Sequence, residues 1–329
     1  MERTVNLLRY ARTSVFGWLC VVLSAGAWAQ VSAPVRAPTP AQQVAGAAMT
    51  PIMAATRAGQ RVVAVGDYGV VLLSDDGGKS YRQARSVPVN VLLTDVSFID
   101  DKRGHASGHD GVVLATGDAG ETWSLLRHDA GKSGPLMSVW FATPELGFAV
   151  GRFGEAIRTL DGGKTWTPMK VGQGDAADRH LYKAFPGPAG SVMITAESGL
   201  VYRSDDQGAT WAGASTGNKG SLWTGLTLKD GSVVVAGMRG HFYRSADGGR
   251  TWRKIDVGST ASLTGMAQMS DGRLLVVGMN GTVVESADGG VHVKAGTRED
   301  RLPLTAVVDA GKGTPALFSF VGAVPVGER

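Results

Sequence analysis

Apolar residues in this chain come in short runs, broken by Gly, Asp and Pro at nearly regular intervals. One group of runs reads Leu136–Ala142, Leu146–Gly151, Gly154–Thr159 and Thr165–Met169. Another reads Leu222–Leu228, Ser232–Gly237, Gly240–Ser245 and Thr251–Ile255. Runs this short, bounded by turn formers, predict strands, and the gaps leave no room for crossover helices. The second and third runs of a group are joined by a G-x-x-G segment in five units: Gly66–Gly69, Gly108–Gly111, Gly151–Gly154, Gly237–Gly240 and Gly278–Gly281. A sixth unit has Ala196–Gly199 instead. Glycines here are expected to supply the positive φ of tight hairpins. A phosphate-binding loop would need a helix to follow, and strands follow instead.

Between the third and fourth runs lies a motif present six times: SDDGGKSY from Ser74, TGDAGETW from Thr116, TLDGGKTW from Thr159, SDDQGATW from Ser204, SADGGRTW from Ser245 and SADGGVHV from Ser286. The starts are 42, 43, 45, 41 and 41 residues apart. A repeat of this length with several short strands per unit predicts a β-propeller blade. A first unit starts near Pro51 and a seventh near Leu304. The fold expected is therefore all-β: a single propeller over residues 49–329, with seven four-stranded blades, or six as the alternative. The last unit ends without the motif, and an open sheet edge is a liability. The Ala/Pro-rich stretch 30–48 thus reads as a linker that could lend a closing strand.

The repeated motif is the Asp-box of sialidase-like and related propellers. Asp76, Asp118, Asp161, Asp206, Asp247 and Asp288 are expected to accept hydrogen bonds from backbone N–H groups of their own turns. Trp123, Trp166, Trp211 and Trp252 are expected to pack between neighbouring sheets, with the indole N–H free to find a partner. These carboxylates read as structural staples, neither catalytic nor calcium-binding.

Composition narrows the partners. Glycine is abundant at 47 residues and charged residues make up only 19%, which suits tight turns better than disorder. The net charge of +4 includes Arg3, Arg9 and Arg12 against Glu2, and no Lys/Arg run appears. That excludes a typical nucleic-acid binder. Basic residues, an apolar stretch from Val15 to Ala25 and Ala27-Trp28-Ala29 together read as a signal peptide over residues 1–29. Export to a periplasm, or to a thylakoid lumen in a photosynthetic host, is the expected localisation. Cys20, the only cysteine, falls inside that segment. The mature chain would then rely on its core rather than on disulfides.

Phrases such as Val63–Gly69 (VAVGDYG) and Ser245–Trp252 (SADGGRTW) resemble the photosystem II stability/assembly factor family and its BNR-repeat relatives. The resemblance covers roughly residues 50 to 325. It implies a non-catalytic scaffold without cofactor, expected as a monomer, whose partner is a membrane protein or membrane-complex subunit. In a photosynthetic host that partner would be a photosystem II subunit around D1; otherwise it would belong to an envelope transport complex.

Propellers present ligands where the second-to-third-strand hairpins meet the blade-to-blade loops. Candidate partner-binding residues on the hairpins are Tyr68, His109, Arg152, Phe153, Arg239 and Asn280. Arg152 and Arg239, with Phe153 and Tyr68 nearby, would suit an acidic segment of a partner. A carbohydrate-binding or sialidase-like propeller is the alternative. Glycoside cleavage needs a proton donor paired with a nucleophile or base, and the innermost strands offer Asp95, Tyr182 and little else that is charged, so Tyr182 or Glu155 would have to carry it. His105 and His109 fall on a strand and its hairpin, so their spacing does not make a helical ligand pair. His105 aligns with Phe148, a packed position, and His292 replaces the Thr of a degenerate Asp-box. No metal site is expected.

Overall fold

The structure, a computed structural model, describes residues 37–131 and 134–325. The segment read as an export signal, residues 1–29, lies outside the described residues. The chain forms seven antiparallel sheets, each a meander in chain order: six of four strands and a last one of three. These are the seven blades expected, and the six-blade alternative is excluded. Blade 3 consists of Leu136–Phe141, Gly147–Gly151, Ala156–Thr159 and Thr167–Pro168. The innermost strands of blades 1 to 7 are Ile52–Ala58, Leu93–Phe98, Leu136–Phe141, Leu181–Pro186, Leu222–Thr227, Leu263–Gln268 and Leu304–Asp309. They surround a central channel whose cavity is about 350 Å³.

Most second strands are almost unbroken apolar runs because both faces pack on neighbouring blades, blade 2 with His105 and Ser107 being a departure. Val233–Gly237 and Leu274–Gly278 are buried at every position. The cores are shared between blades: Val63, Val65 and Leu73 of blade 1 pack with Val96, Leu114 and Trp123 of blade 2. Each such side chain contributes about 1.5–3 kcal/mol when fully buried.

The ring closes by packing and side-chain hydrogen bonds. Ala306, Val308 and Phe318 of blade 7 share a cluster with Val62, Ala64 and Leu72 of blade 1. Thr305 Oγ1 donates to the Ile52 carbonyl at 2.6 Å. The Asp-box glycine Gly78, at φ 83°, faces blade 7 so closely that a Cβ would lie 3.1 Å from Ala316. Residues ahead of the first strand run along blade 1, where Gln43 Nε2 donates to the Ala84 carbonyl at 2.7 Å. They then make a 3-10 turn, Ala47–Met49, against the last strand of blade 7, Gly322–Val324. Among the described residues this segment adds a turn to blade 7 rather than a paired strand.

The Asp-boxes share one hydrogen-bond arrangement. Asp161 Oδ1 accepts from the Thr165 N–H at 2.9 Å and the Thr159 hydroxyl at 2.8 Å, while Oδ2 accepts the Thr165 hydroxyl at 2.7 Å. Thr159 Oγ1 in turn accepts the Gly163 N–H at 2.8 Å. The same arrangement recurs at Asp76, Asp118, Asp206 and Asp247. In the degenerate sixth copy His292 takes over the threonine's part, its Nδ1 2.6 Å from Asp288 Oδ2. The hydroxyl of Thr165 or Thr210, followed by the N–H of the same residue, holds Asp161 and Asp206 down to about 2.

The four Asp-box indoles differ in what their N–H groups meet among the described residues. Only Trp123 finds a partner for its indole, Nε1 donating to the Gly120 carbonyl at 3.0 Å. The indole N–H groups of Trp166, Trp211 and Trp252 are buried without one. Their rings pack against Phe141, Phe148 and the Met193 cluster respectively. Apolar burial outweighs the unmade hydrogen bond at these three sites.

Candidate functional site

One end of the ring carries the hairpins between second and third strands. In six blades the hairpin is a type I′ turn: in blade 1 the Val70 N–H bonds the Asp67 carbonyl, and Tyr68 and Gly69 both have positive φ, 54° and 68°. That turn matches the right-handed twist of the strands it joins. The residue at its tip is Tyr68, Asp110, Phe153, Ser198, Arg239 or Asn280, each at φ between 53° and 57°. The first glycine of the motif has a different reason from the one expected. Gly66 is extended, at φ −166°, and a Cβ there would lie 1.9 Å from the Pro51 carbonyl. That carbonyl accepts the next N–H, from Asp67, at 3.0 Å. Close approach, not positive φ, selects glycine there.

The mouth of the channel at this end is set by a β-bulge in the innermost strands, for example between Leu181 and Lys183 and between Leu222 and Thr224. The residue after the first leucine or isoleucine of each strand is Met53, Thr94, Met137, Tyr182, Trp223, Thr264 or Thr305. Where it is threonine, the hydroxyl lashes the next blade: Thr94 to the Leu136 carbonyl at 2.6 Å, Thr264 to the Leu304 carbonyl at 2.7 Å, and Thr305 to that of Ile52 at 2.6 Å. In blades 1, 3, 4 and 5 a large side chain stands there instead, half-buried and lining the channel.

Blades 3 to 5 bring several of these features together. Phe153, 64% exposed at its hairpin tip, has the Arg152 guanidinium carbon 4.9 Å from its ring centroid. Its ring meets His180 edge-on at 4.7 Å, and the Phe153 N–H donates to His180 Nδ1 at 2.9 Å. His180 stands 6.3 Å from the ring of Tyr182, whose hydroxyl shares a hydrogen bond with Ser221 Oγ at 3.2 Å. Burial, with the Glu197 charge, pushes the Tyr182 phenol up, against the opposing pull of Ser221, Trp223 and Arg152. Deeper in the channel, Lys183 Nζ reaches both oxygens of Asp95 at 2.7 and 2.8 Å.

Arginines are ion-paired at both ends of the ring, and at the hairpin end Arg127 meets Asp129 and Arg298 meets Asp300. At the Asp-box end arginines are paired: Arg61 with Asp75 and Glu121, Arg203 with Asp205, Arg244 with Asp230, and Arg273 with Asp271 and Glu285. At the hairpin end Arg152 and Arg239 are exposed and, among the described residues, have no carboxylate within 4.0 Å. Such cations are free to meet an acidic ligand.

The predicted residues separate. Arg152 and Phe153 belong to one cluster, and Arg239 stands two blades on. Tyr68 does not join them: it lines a different groove with Gln42, Val44, Thr50, Val70 and Asn90. His109 and Asn280 are exposed on the hairpins of blades 2 and 6. Met137 and Trp223 were not singled out from the sequence. Aligning the residue after each strand's first leucine would have marked Met137 and Trp223 against the threonines of other blades.

A glycosidase site is not assembled. Of the residues lining the channel only Asp95 is a carboxylate, and Lys183 neutralises it. Glu155 lies outside that lining, 4.0 Å from Arg127. A phenol whose pKa is raised, as at Tyr182, is a poor nucleophile. His105 is buried, stacked 3.5 Å from the ring of Phe141, as a packed strand position should be. Among the described residues no three His, Cys, Asp or Glu side chains are arranged to hold a metal ion.

Comparison with known proteins agrees with this architecture. The solved structure of YCF48 bound to D1 peptide superimposes with a TM-score of 0.67 at 16% identity, over 89% of this chain and 97% of that one. YCF48 from Cyanidioschyzon merolae gives 0.65 at 16% identity, over 86% and 96%. A streptogramin B lyase gives 0.71 at 8% identity, over 86% and 95%. At these identities the likeness is one of fold. No curated protein matches the chain in sequence. The model of the photosynthesis system II assembly factor YCF48 family matches residues 83–274, more than half of the chain. The chain belongs to that family.

Proposed function

We propose that this protein is a non-catalytic, exported assembly factor that captures an acidic segment of a membrane-protein subunit on the hairpin end of its ring. The observation that carries this reading is the pair of exposed arginines, Arg152 and Arg239, without carboxylate partners among the described residues, beside the exposed aromatic tip of Phe153. Arginine and aromatic anchors at an interface centre supply most of the binding energy in typical complexes. Family membership and the D1 peptide held by a relative of the same fold support a photosystem II subunit as the client in a photosynthetic host. In a host without photosystem II the client would be a subunit of an envelope complex. Export to the periplasm or thylakoid lumen would bring the propeller to such a client, acting as a monomer.

In-cell crosslinking of the tagged protein, with mass spectrometry of the captured peptides, tests this. Wild type is expected to crosslink through the hairpin end to an acidic loop or tail of a membrane protein. The Arg152→Glu/Arg239→Glu variant is expected to lose that capture with its thermal midpoint unchanged. Equal capture by the double variant would remove the hairpin arginines from the site.

A further inference from the structure

The bulge position of the innermost strands carries information that the charge pattern does not. Seven equivalent sites exist, and threonine at three of them ties one blade to the next through a hydrogen bond of 2.6–2.7 Å. Blades 3, 4 and 5, which are consecutive, forgo that bond for Met137, Tyr182 and Trp223. Among the described residues no side chain donates to the matching carbonyls of Leu181, Leu222 and Leu263. Blade 1 also lacks the bond, with Met53 at its site, but it stands apart from this arc. The three large side chains of the arc build a wall of thioether and aromatic surface at the channel mouth, half-open to the cavity behind it.

We propose that this mouth is the anchor pocket for one aromatic or large aliphatic side chain of the captured segment. The inference rests on the reading of the hairpin end as a segment-binding face. The cavity of about 350 Å³ is at the small end of ligand pockets, which run from about 300 to 1,000 Å³. It suits a side chain better than a large cofactor. Charge and position complete the chemistry: Arg152 on blade 3 and Arg239 on blade 5 flank the arc, so the occupant carries carboxylates on either side of its apolar residue. At the floor, Lys183 and Asp95 neutralise each other, so no net charge opposes an uncharged side chain entering.

The repeat supplies its own control. Met137→Thr, Tyr182→Thr and Trp223→Thr install the residue that blades 2, 6 and 7 already use, so the triple variant can regain three inter-blade hydrogen bonds. Its thermal midpoint is expected to fall by no more than about 4 °C. The probe is a phage-displayed library of linear dodecapeptides panned on the purified protein. Wild type is expected to enrich peptides with an aromatic or Leu/Ile/Met residue flanked by Asp or Glu. The triple variant is expected to keep the acidic preference, lose the apolar one, and bind the best wild-type peptide at least tenfold more weakly. The Arg152→Glu/Arg239→Glu variant is expected to do the reverse, keeping the apolar preference. Undiminished apolar enrichment on the triple variant would overturn the anchor pocket while leaving the arginine face intact. No enrichment on wild type would overturn both. If the triple variant does not fold, Trp223→Thr alone is panned and judged by the same two outcomes.

Discussion

Lys183 on blade 4 reaches past blade 3 to Asp95 on blade 2, its ammonium 2.7 and 2.8 Å from the two carboxylate oxygens. Ser138, on the blade between, donates to the same carboxylate at 2.6 Å, and its oxygen accepts the Ala184 N–H at 3.1 Å. Three consecutive blades are thereby pinned around the channel. The two partners are not equivalent, because the Asp95 side chain is 5% exposed and that of Lys183 is 29% exposed. Removing the lysine strands a buried carboxylate, whereas removing the aspartate lets the ammonium turn into the open channel. Lys183→Met is therefore expected to cost about 3 kcal/mol and Asp95→Asn about 1 kcal/mol. Urea melts of both single variants and the double check this. Equal losses would mean that the channel does not relieve the stranded lysine.

Asp-box aspartates make stability acid-sensitive in a narrow range. Asp161 and Asp206 are held down to about 2, and Asp76, Asp247 and Asp288 are also well below their ordinary 3.8. A depressed carboxylate contributes stability above its unfolded pKa and loses it as pH falls through the folded value. The Asp-box contribution to the urea midpoint is thus expected to hold down to about pH 4 and to be lost steeply between pH 4 and 2. Asp161→Asn, which no longer titrates, is expected to flatten that slope. An unchanged slope would show that this carboxylate is not a staple.

His105 titrates in a different window. Burial pushes its imidazole down to about 4 from 6.5, and its Nδ1 has no hydrogen-bond partner. A histidine with a depressed folded pKa favours the native state above the unfolded value. That advantage drains away as pH falls from 6.5 towards 4, amounting to about 3 kcal/mol in full. His105→Phe, the residue found at the aligned position Phe148, is expected to reduce the pH dependence between 6.5 and 4, leaving the smaller part due to His241, which burial also pushes down. It should also raise stability at pH 5, since it removes a buried unpaired nitrogen. Urea melts at pH 5 and pH 7 check both points, and a variant with wild-type slope would assign the window to another group.

What could be read from the sequence was what is local to a repeat unit. The Asp-box bonds span four residues, from Thr159 to Gly163 and from Asp161 to Thr165, so the motif itself specifies them. Strand limits in blades 3 and 5 likewise followed from runs bounded by Gly and Asp. The channel cluster was hidden because its members are far apart in sequence: Asp95 and Lys183 are separated by 88 residues. Tyr68 and Phe153 share a turn position, which made them look like one site. Their angular separation around the ring depends on blade packing, not on the hairpin motif. The bulges that present Tyr182 and Trp223 arise from a register shift between two strands, a property of the pair that neither strand's own pattern encodes.

The four Asp-box tryptophans provide a last test, of whether the indole N–H or the ring holds the blades together. Trp123 is 5% exposed and donates to the Gly120 carbonyl, whereas the N–H groups of Trp166, Trp211 and Trp252 are buried without an acceptor. Substitution by Phe removes the N–H and part of the ring area at every site, but only at Trp123 does it also leave a carbonyl without its donor. Trp123→Phe is therefore expected to cost about 1–2 kcal/mol more than Trp166→Phe or Trp252→Phe. At those two sites, relief of an unpaired donor offsets much of the lost area. Thermal melts of the single variants separate the contributions. Equal costs at all sites would mean that ring packing alone determines the loss, and that the Trp123–Gly120 bond contributes nothing net.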